Sequence, residues 1–155
     1  MTVFLVRHAS AGHRDDADPH DIERGLDGVG HRQAQRIMGL LAPNDVGWVA
    51  SSPATRCVAT ISPLASACEL DVEETDDLYE GADIERSWAL LELAAKREDD
   101  AVLCSHGDVI PDLIRRAQSR GMEVRGKAGC SKGGVWALHW SGDHFTHATY
   151  TPVRD

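Results

Sequence analysis

The sequence predicts an α/β fold, a three-layer αβα sandwich around a mostly parallel sheet. Three observations carry that prediction. Apolar, β-branched-rich runs recur at residues 2–6, 46–50 and 101–105. Segments with apolar residues at helical spacing separate them. Such alternation builds parallel strands whose connecting helices cover both sheet faces. Finally, Val135–Trp140 and Phe145–Thr151 flank Ser141-Gly142-Asp143, a hairpin that adds an antiparallel edge strand.

The elements follow in order. Residues 2–6, Thr-Val-Phe-Leu-Val, are β-branched or large and apolar, as a strand buried on both faces requires. The polar segment 12–28, with Asp15, Asp16, Asp18, Pro19 and Asp21, is expected to be a surface loop. Asp27 is placed to cap a helix over 28–41, with Val29, Ile37, Leu40 and Leu41 on one face and Pro43 beyond its end. After strand 46–50, Ser52-Pro53 reads as an N-cap and first helical residue. Val58, Ile61 and Ala65 form the inward face of that helix, which Pro63 is expected to kink or split. A short strand at 70–72 precedes an acidic stretch, 73–77. Asp83 caps a helix over 84–97, where Ile84, Trp88, Leu91 and Ala95 recur at spacings of four, three and four. Strand 101–105 leads into a helix from Asp108 to about Gln118, with Pro111 tolerable in its first turn and Gly121 past its end. Residues 122–133 are basic and glycine-rich and read as a loop.

A chain of 155 residues is expected to form one domain, 1–155, with a sizeable core. A net charge of −9 argues against a nucleic-acid polymer as partner. No apolar stretch approaches the roughly 20 residues of a membrane helix. The apolar start, 3–6, is too short for a signal peptide and lacks a basic region before it, so a cytoplasmic location is expected. Cys57, Cys68, Cys104 and Cys130 lack CxxC spacing and read as reduced thiols. His144 and His147 form an HxxH pair beside His139. On a strand that spacing sends the two rings to opposite faces, so no metal site is expected.

Chemistry concentrates in three places. Arg7-His8 follows the first strand, and the small residues Ala9, Ser10, Ala11 and Gly12 come next. In open α/β sheets ligands bind at this C-terminal edge. Neutral imidazole is a competent nucleophile toward phosphorus, and a phosphohistidine divides a hard hydrolysis into two easier steps. Arg7 offers bidentate donors to phosphoryl oxygens. Ser51-Ser52-Pro53-Ala54-Thr55-Arg56 follows the second strand. Backbone N–H groups at a helix start favour an anion, and Arg56 in the first turn is placed to reach the same phosphate. Ser105-His106-Gly107-Asp108 follows the late strand. His106 would stabilise equatorial phosphoryl oxygens, and Gly107 lets the backbone approach the ligand. Each piece alone has a plainer reading: a surface histidine, an exposed arginine, a histidine bonded within the crossover.

Together, in this order, they resemble the histidine phosphatase superfamily, the phosphoglycerate mutase-like family. The likeness runs through residues 5–9, residues 25–30 with Gln33-Ala34, residues 51–56 with Thr60, and Ser105-His106-Gly107. The short chain is similar to the SixA-type phosphohistidine phosphatase branch. Residues 104–114 and 132–136 are similar to the histidine-phosphatase domain fused behind MutT-type Nudix hydrolases. No Nudix box is present, so a stand-alone relative is expected. The resemblance implies that His8 is phosphorylated and that Arg7, Arg56 and His106 form the phosphate pocket. It also implies a carboxylic acid that protonates the leaving group. Glu80, in Leu78-Tyr79-Glu80-Gly81, matches that position best, with Asp21 and Asp108 as alternatives. The role needs a raised pKa, from burial or from Asp76 and Asp77. Ala9 stands where the family usually has Gly, and Ser10 is a candidate to add a hydroxyl to the phosphate. Arg14, Arg24 and Lys132 are candidates to extend the anion site, against a reading as surface charges. No metal or cofactor is called for. The implied activity is metal-independent hydrolysis of a phosphomonoester or phosphohistidine. The expected partner is a phosphorylated small molecule or a phosphohistidine protein, and the Nudix likeness favours nucleotides by analogy. The alternative is a non-catalytic phosphate-binding regulatory module.

Overall fold

Strand β1 (Thr2–Arg7) lies inside the sheet because its side chains are apolar on both faces. Val3 and Leu5 enter one core, and Phe4 and Val6 enter the other. The computed structural model describes residues 1–155. After β1 come α1 (Gly28–Leu41), β2 (Val46–Ser51), α2 (Thr55–Ala67), β3 (Val72–Glu74), α3 (Ile84–Ala95) and β4 (Asp100–Ser105). The chain closes with α4 (Val109–Ser119), β5 (Glu123–Arg125), β6 (Val135–Trp140) and β7 (Phe145–Thr151). The seven strands run in the order β3-β2-β4-β1-β6-β7-β5. β3, β2, β4 and β1 are parallel, and β6 is antiparallel to both of its neighbours.

The period of two along the strands sorts the two cores. On one face α1 and α2 bring Ile37, Leu41, Ile61 and Leu64 against Phe4, Val6, Val102 and Cys104. On the other, α3 and α4 bring Trp88, Leu91, Ile110 and Leu113 against Val3, Leu5 and Leu103. This is the predicted three-layer sandwich. Leu5 is fully buried at its centre, where truncation to Ala costs about 2–5 kcal/mol. No helix is long and apolar enough to cross a membrane.

Asp27 and Asp83 cap α1 and α3 as expected, accepting from Gly30 N and Glu85 N. Elsewhere packing moves the boundaries. α2 starts at Thr55, two residues after Pro53, because Ser52 Oγ accepts the Ala54 N–H before the helix begins. Pro63 does not split α2, since buried Ile61, Leu64 and Ala65 hold both halves against the sheet. β3 falls at 72–74, where it can pair with Val49–Ser51. β5 lies inside the segment read as a loop. Its Glu-Val-Arg carries no strand pattern, and parallel pairing to residues 147–149 of β7 supplies the order. On the terminal hairpin, His139 and His147 face each other across β6 and β7 and stack at 4.3 Å. No group of three or more metal-ligating side chains forms anywhere.

Candidate active site

The adjacent parallel strands β1 and β4 end together, with Arg7 level with Ser105. His8 and His106, one residue further on, therefore meet with ring centroids 5.4 Å apart in an edge-to-face arrangement. His8 N–H donates to the Ser105 carbonyl at 3.0 Å, which extends the ladder to the nucleophile candidate itself.

The His8 ring is oriented by its own loop. Nδ1 donates to the Ala9 carbonyl at 2.9 Å, so Nδ1 carries the proton and Nε2 carries the lone pair. Nε2 has no protein partner and is not sealed, and His8 lines the cleft. Burial holds its pKa far below the usual histidine value, at about 3. The bond to Ala9 opposes that shift, and the charges of His106, Arg56 and Arg7 add to it. At neutral pH this imidazole is therefore uncharged, the form that can attack.

Two guanidiniums stand beside it. Arg7 is anchored by Nη1 donating to the Cys130 carbonyl at 2.6 Å, and it lies flat against Gly107. A Cβ at 107 would come within 2.8 Å of Arg7 Cζ, so only glycine leaves that guanidinium in place. Arg56 is 1% exposed. It donates to the Asp21 carbonyl at 3.2 Å and to Glu80 Oε1 at 3.1 Å. Each arginine retains a buried Nε–H with no acceptor. Both Nε atoms are sealed from solvent, and such unsatisfied donors are rare and costly in a native fold.

His106 is nearly fully buried. Its Nε2 contacts Ser52 Oγ at 2.8 Å and Cys57 Sγ at 3.5 Å, and Tyr79 packs on the ring edge. The surrounding cleft measures about 750 Å³ and has no hydrophobic lining residue. Arg14, Arg24 and Lys132 join Arg7 and Arg56 in its wall, and Glu80 and Asp108 are its acids. The local charge is thus positive although the chain carries −9.

Several expectations need correcting. Glu80 does reach the cleft, but its neighbours are Arg14 at 2.8 Å and Arg56 at 3.1 Å. Asp76 and Asp77 do not line the cleft. Ser10 turns away, because its hydroxyl donates to Asp27 Oδ2 at 2.7 Å. The start of α2 does not open on the cleft either. Pro53 and Thr55 line a different depression, and of residues 51–56 only Arg56 lines the cleft. Asp21 anchors Arg24 and Arg56, and Asp108 accepts the Gly81 N–H at 2.7 Å.

Three supporting residues had no role at the site assigned from sequence. Thr60 Oγ1 accepts the Ala9 N–H at 2.9 Å and donates to the Arg56 carbonyl at 2.6 Å, which ties the nucleophile loop to α2. Gln33 accepts from Ser10 N and donates to the Lys132 and Val153 carbonyls. Ser52 was legible only as a helix cap. The available signal was polarity on an inward face: Gln33 and Thr60 sit among apolar neighbours, where a polar side chain must find partners.

The sequence profile described as "Histidine phosphatase superfamily (branch 1)" matches residues 3–82, just over half of the chain. The chain belongs to the histidine phosphatase superfamily. It is 31% identical over 158 residues to an 8-oxo-(d)GTP phosphatase of Mycolicibacterium smegmatis, covering 99% of this chain and 49% of that protein. The chain thus spans about half the length of the curated relative it matches. In fold it is similar to the protein histidine phosphatase SixA complexed with tungstate, at TM-score 0.76 and 17% identity over 100% of this chain and 97% of that one. It is also similar to a mycobacterial glucosyl-3-phosphoglycerate phosphatase, at TM-score 0.72 and 15% identity over 97% and 96% of the two chains. Superfamily membership and the SixA-like sandwich agree with the resemblance carried by Arg7-His8, residues 51–56 and Ser105-His106-Gly107.

Proposed function

We propose that residues 1–155 act as a metal-independent phosphatase that works through a phosphohistidine on His8. One observation carries the reading. A buried, neutral imidazole presents its Nε2 lone pair to a cleft that is also lined by two guanidiniums, Arg7 and Arg56.

In the proposed reaction Nε2 attacks phosphorus in line, and the bond from phosphorus to the leaving group breaks. Arg7, Arg56 and His106 hold the equatorial oxygens, which gain charge in the transition state. Glu80 protonates the leaving group. An entering phosphoryl group competes with Glu80 for Arg56, and its negative charge disfavours a second anion beside it. Water then attacks the phosphohistidine, giving a proton to the Glu80 carboxylate and so restoring the acid, the phosphorus–nitrogen bond breaks, and inorganic phosphate and neutral His8 are released.

The lining bears on the substrate. With five cationic side chains, two acids and no hydrophobic residue in its lining, the cleft offers mainly charge and hydrogen bonds. It suits a small phosphorylated metabolite or a phosphorylated side chain, including phosphohistidine, recognised through its anionic groups. The nucleotide named for the M. smegmatis relative fits this cleft through its phosphates.

The test is hydrolysis of p-nitrophenyl phosphate in excess EDTA by the parent and by His8→Ala. Turnover that survives EDTA and vanishes in the variant is the expected result. An inert parent that still binds inorganic phosphate would replace this reading with a non-catalytic phosphate-binding module.

A further inference from the structure

His106 meets the cleft with one ring nitrogen and the core with the other. Its Nε2 lies 2.8 Å from Ser52 Oγ, and both residues are buried. The same Oγ accepts the Ala54 N–H at 3.2 Å. A serine hydroxyl has a single proton, and Nε2 is the acceptor it meets at hydrogen-bond distance, with the Cys57 sulfur as the competing one. Leaving that proton undonated in the core would cost about 1–3 kcal/mol. We infer that Ser52 donates to Nε2 and thereby fixes the His106 proton on Nδ1, making Ser52 the positioning residue of the phosphate site. Nδ1 has no protein partner and is not sealed, so it is the nitrogen that looks into the cleft.

The consequence is complementary to His8. Both rings carry their proton on Nδ1, but they present opposite ends. His8 offers the bare Nε2 to phosphorus, and His106 offers Nδ1–H to a phosphoryl oxygen. With the other tautomer a neutral His106 would aim a lone pair at that oxygen and repel it. Ser52 thus lets His106 donate even when uncharged. This catalytic consequence rests on the phosphatase reading; the position of the proton does not.

Cys57 is the competing partner. Its Sγ lies 3.5 Å from Nε2 and 3.8 Å from the Ser105 carbonyl. Burial acts to raise the Cys57 pKa, while contacts with Cys104, His106 and Ser52 draw it down to about 6. A thiolate there would accept an N–H from Nε2 in place of the Ser52 proton, and the neutral ring so arranged is the tautomer that would overturn the inference. Other groups stand near the ring: Arg7 from β1, His8 just beyond it, Arg56 from α2, Tyr79 and Glu80 from the segment after β3, and Asp108 before α4. None of these is bonded to Nε2 in place of Ser52.

Long-range ¹⁵N–¹H correlation spectra of the ¹⁵N-histidine-labelled chain read the tautomer directly. The expected His106 signal shows a proton on Nδ1 across neutral and alkaline pH. A neutral ring protonated on Nε2 alone would overturn the inference, whether or not the protein turns over substrate. Ser52→Ala should shift His106 toward the Nε2–H form. Its kcat/KM should fall about a hundredfold, as for loss of one oxyanion donor. Cys57→Ser should keep the proton on Nδ1. Retention of Nδ1–H in Ser52→Ala, or its loss in Cys57→Ser alone, would refute the role given to Ser52. A parent with the expected tautomer and no phosphatase activity would instead defeat the functional reading.

Discussion

Gly107→Ala isolates the geometry of the phosphate clamp without touching a catalytic group. The added Cβ would lie 2.8 Å from Arg7 Cζ and 3.0 Å from its Nε and Nη2. Relief to an ordinary 3.4 Å contact requires a displacement of about 0.6 Å between the guanidinium and the 107 backbone. Neither side yields freely. Arg7 is pinned through Nη1 to the Cys130 carbonyl, and residue 107 lies between buried His106 and the start of α4. Misplacements approaching 1 Å cost on the order of a hundredfold in rate. A shift of this size should therefore lower kcat/KM for p-nitrophenyl phosphate by about tenfold to a hundredfold, or about 1.4–2.7 kcal/mol of transition-state binding. The Gly107 φ does not lie in the left-handed region, so the substitution adds no backbone strain, and stability should stay within about 1 kcal/mol of the parent. A folded Gly107→Ala protein with kcat/KM within twofold of the parent would refute the clamp as described.

Other predictions follow from single residues. The folded-state pKa of His8, about 3, lies below the ordinary 6.5, so the unfolded chain binds a proton there that the native protein does not. The stability this confers is complete above pH 6.5 and is lost on acidification toward about pH 3. Denaturant melts at pH 7 and pH 5 should thus differ by about 2 kcal/mol more in the parent than in His8→Gln; equal differences would contradict the neutral buried ring. Gln33→Ala removes three hydrogen bonds that join the Ser10 loop, the Lys132 loop and the C-terminal segment. It should cost about 2–4 kcal/mol in chemical denaturation; a loss under about 0.5 kcal/mol would show the ties to be dispensable. Glu80→Gln should reduce ester hydrolysis far more than phosphoramidate hydrolysis, because a protonated imidazole leaving group needs less acid assistance. Equal large losses would count against Glu80 as the acid.

The sandwich was readable wherever burial imposes a pattern. β1 and β4 announced themselves by continuous apolar runs, and α1 and α3 by a stripe plus an aspartate cap. β5 was not readable, because Glu123-Val124-Arg125 is a strand only through its pairing with β7. The start of α2 was misplaced for a related reason. Ser52 has the chemistry of an N-cap, but its hydroxyl is engaged by Ala54 and His106, contacts that sequence spacing does not reveal. Within the site, Arg7, His8, Arg56 and His106 were legible because ligand-type residues followed successive strands. Partners set by three-dimensional neighbours were not. Ser10 was expected at the phosphate and bonds Asp27 instead, and Glu80 was expected beside acids and sits between arginines.

The central claim is attack by Nε2 of a neutral His8, and rapid quench under alkaline conditions tests it most directly. A substrate with a labelled phosphoryl group, stopped before steady state, should leave acid-labile phosphate on the peptide bearing His8, and ³¹P spectra should place it on Nε2. Phosphate on Nδ1, on another residue, or nowhere during demonstrable turnover would contradict the account.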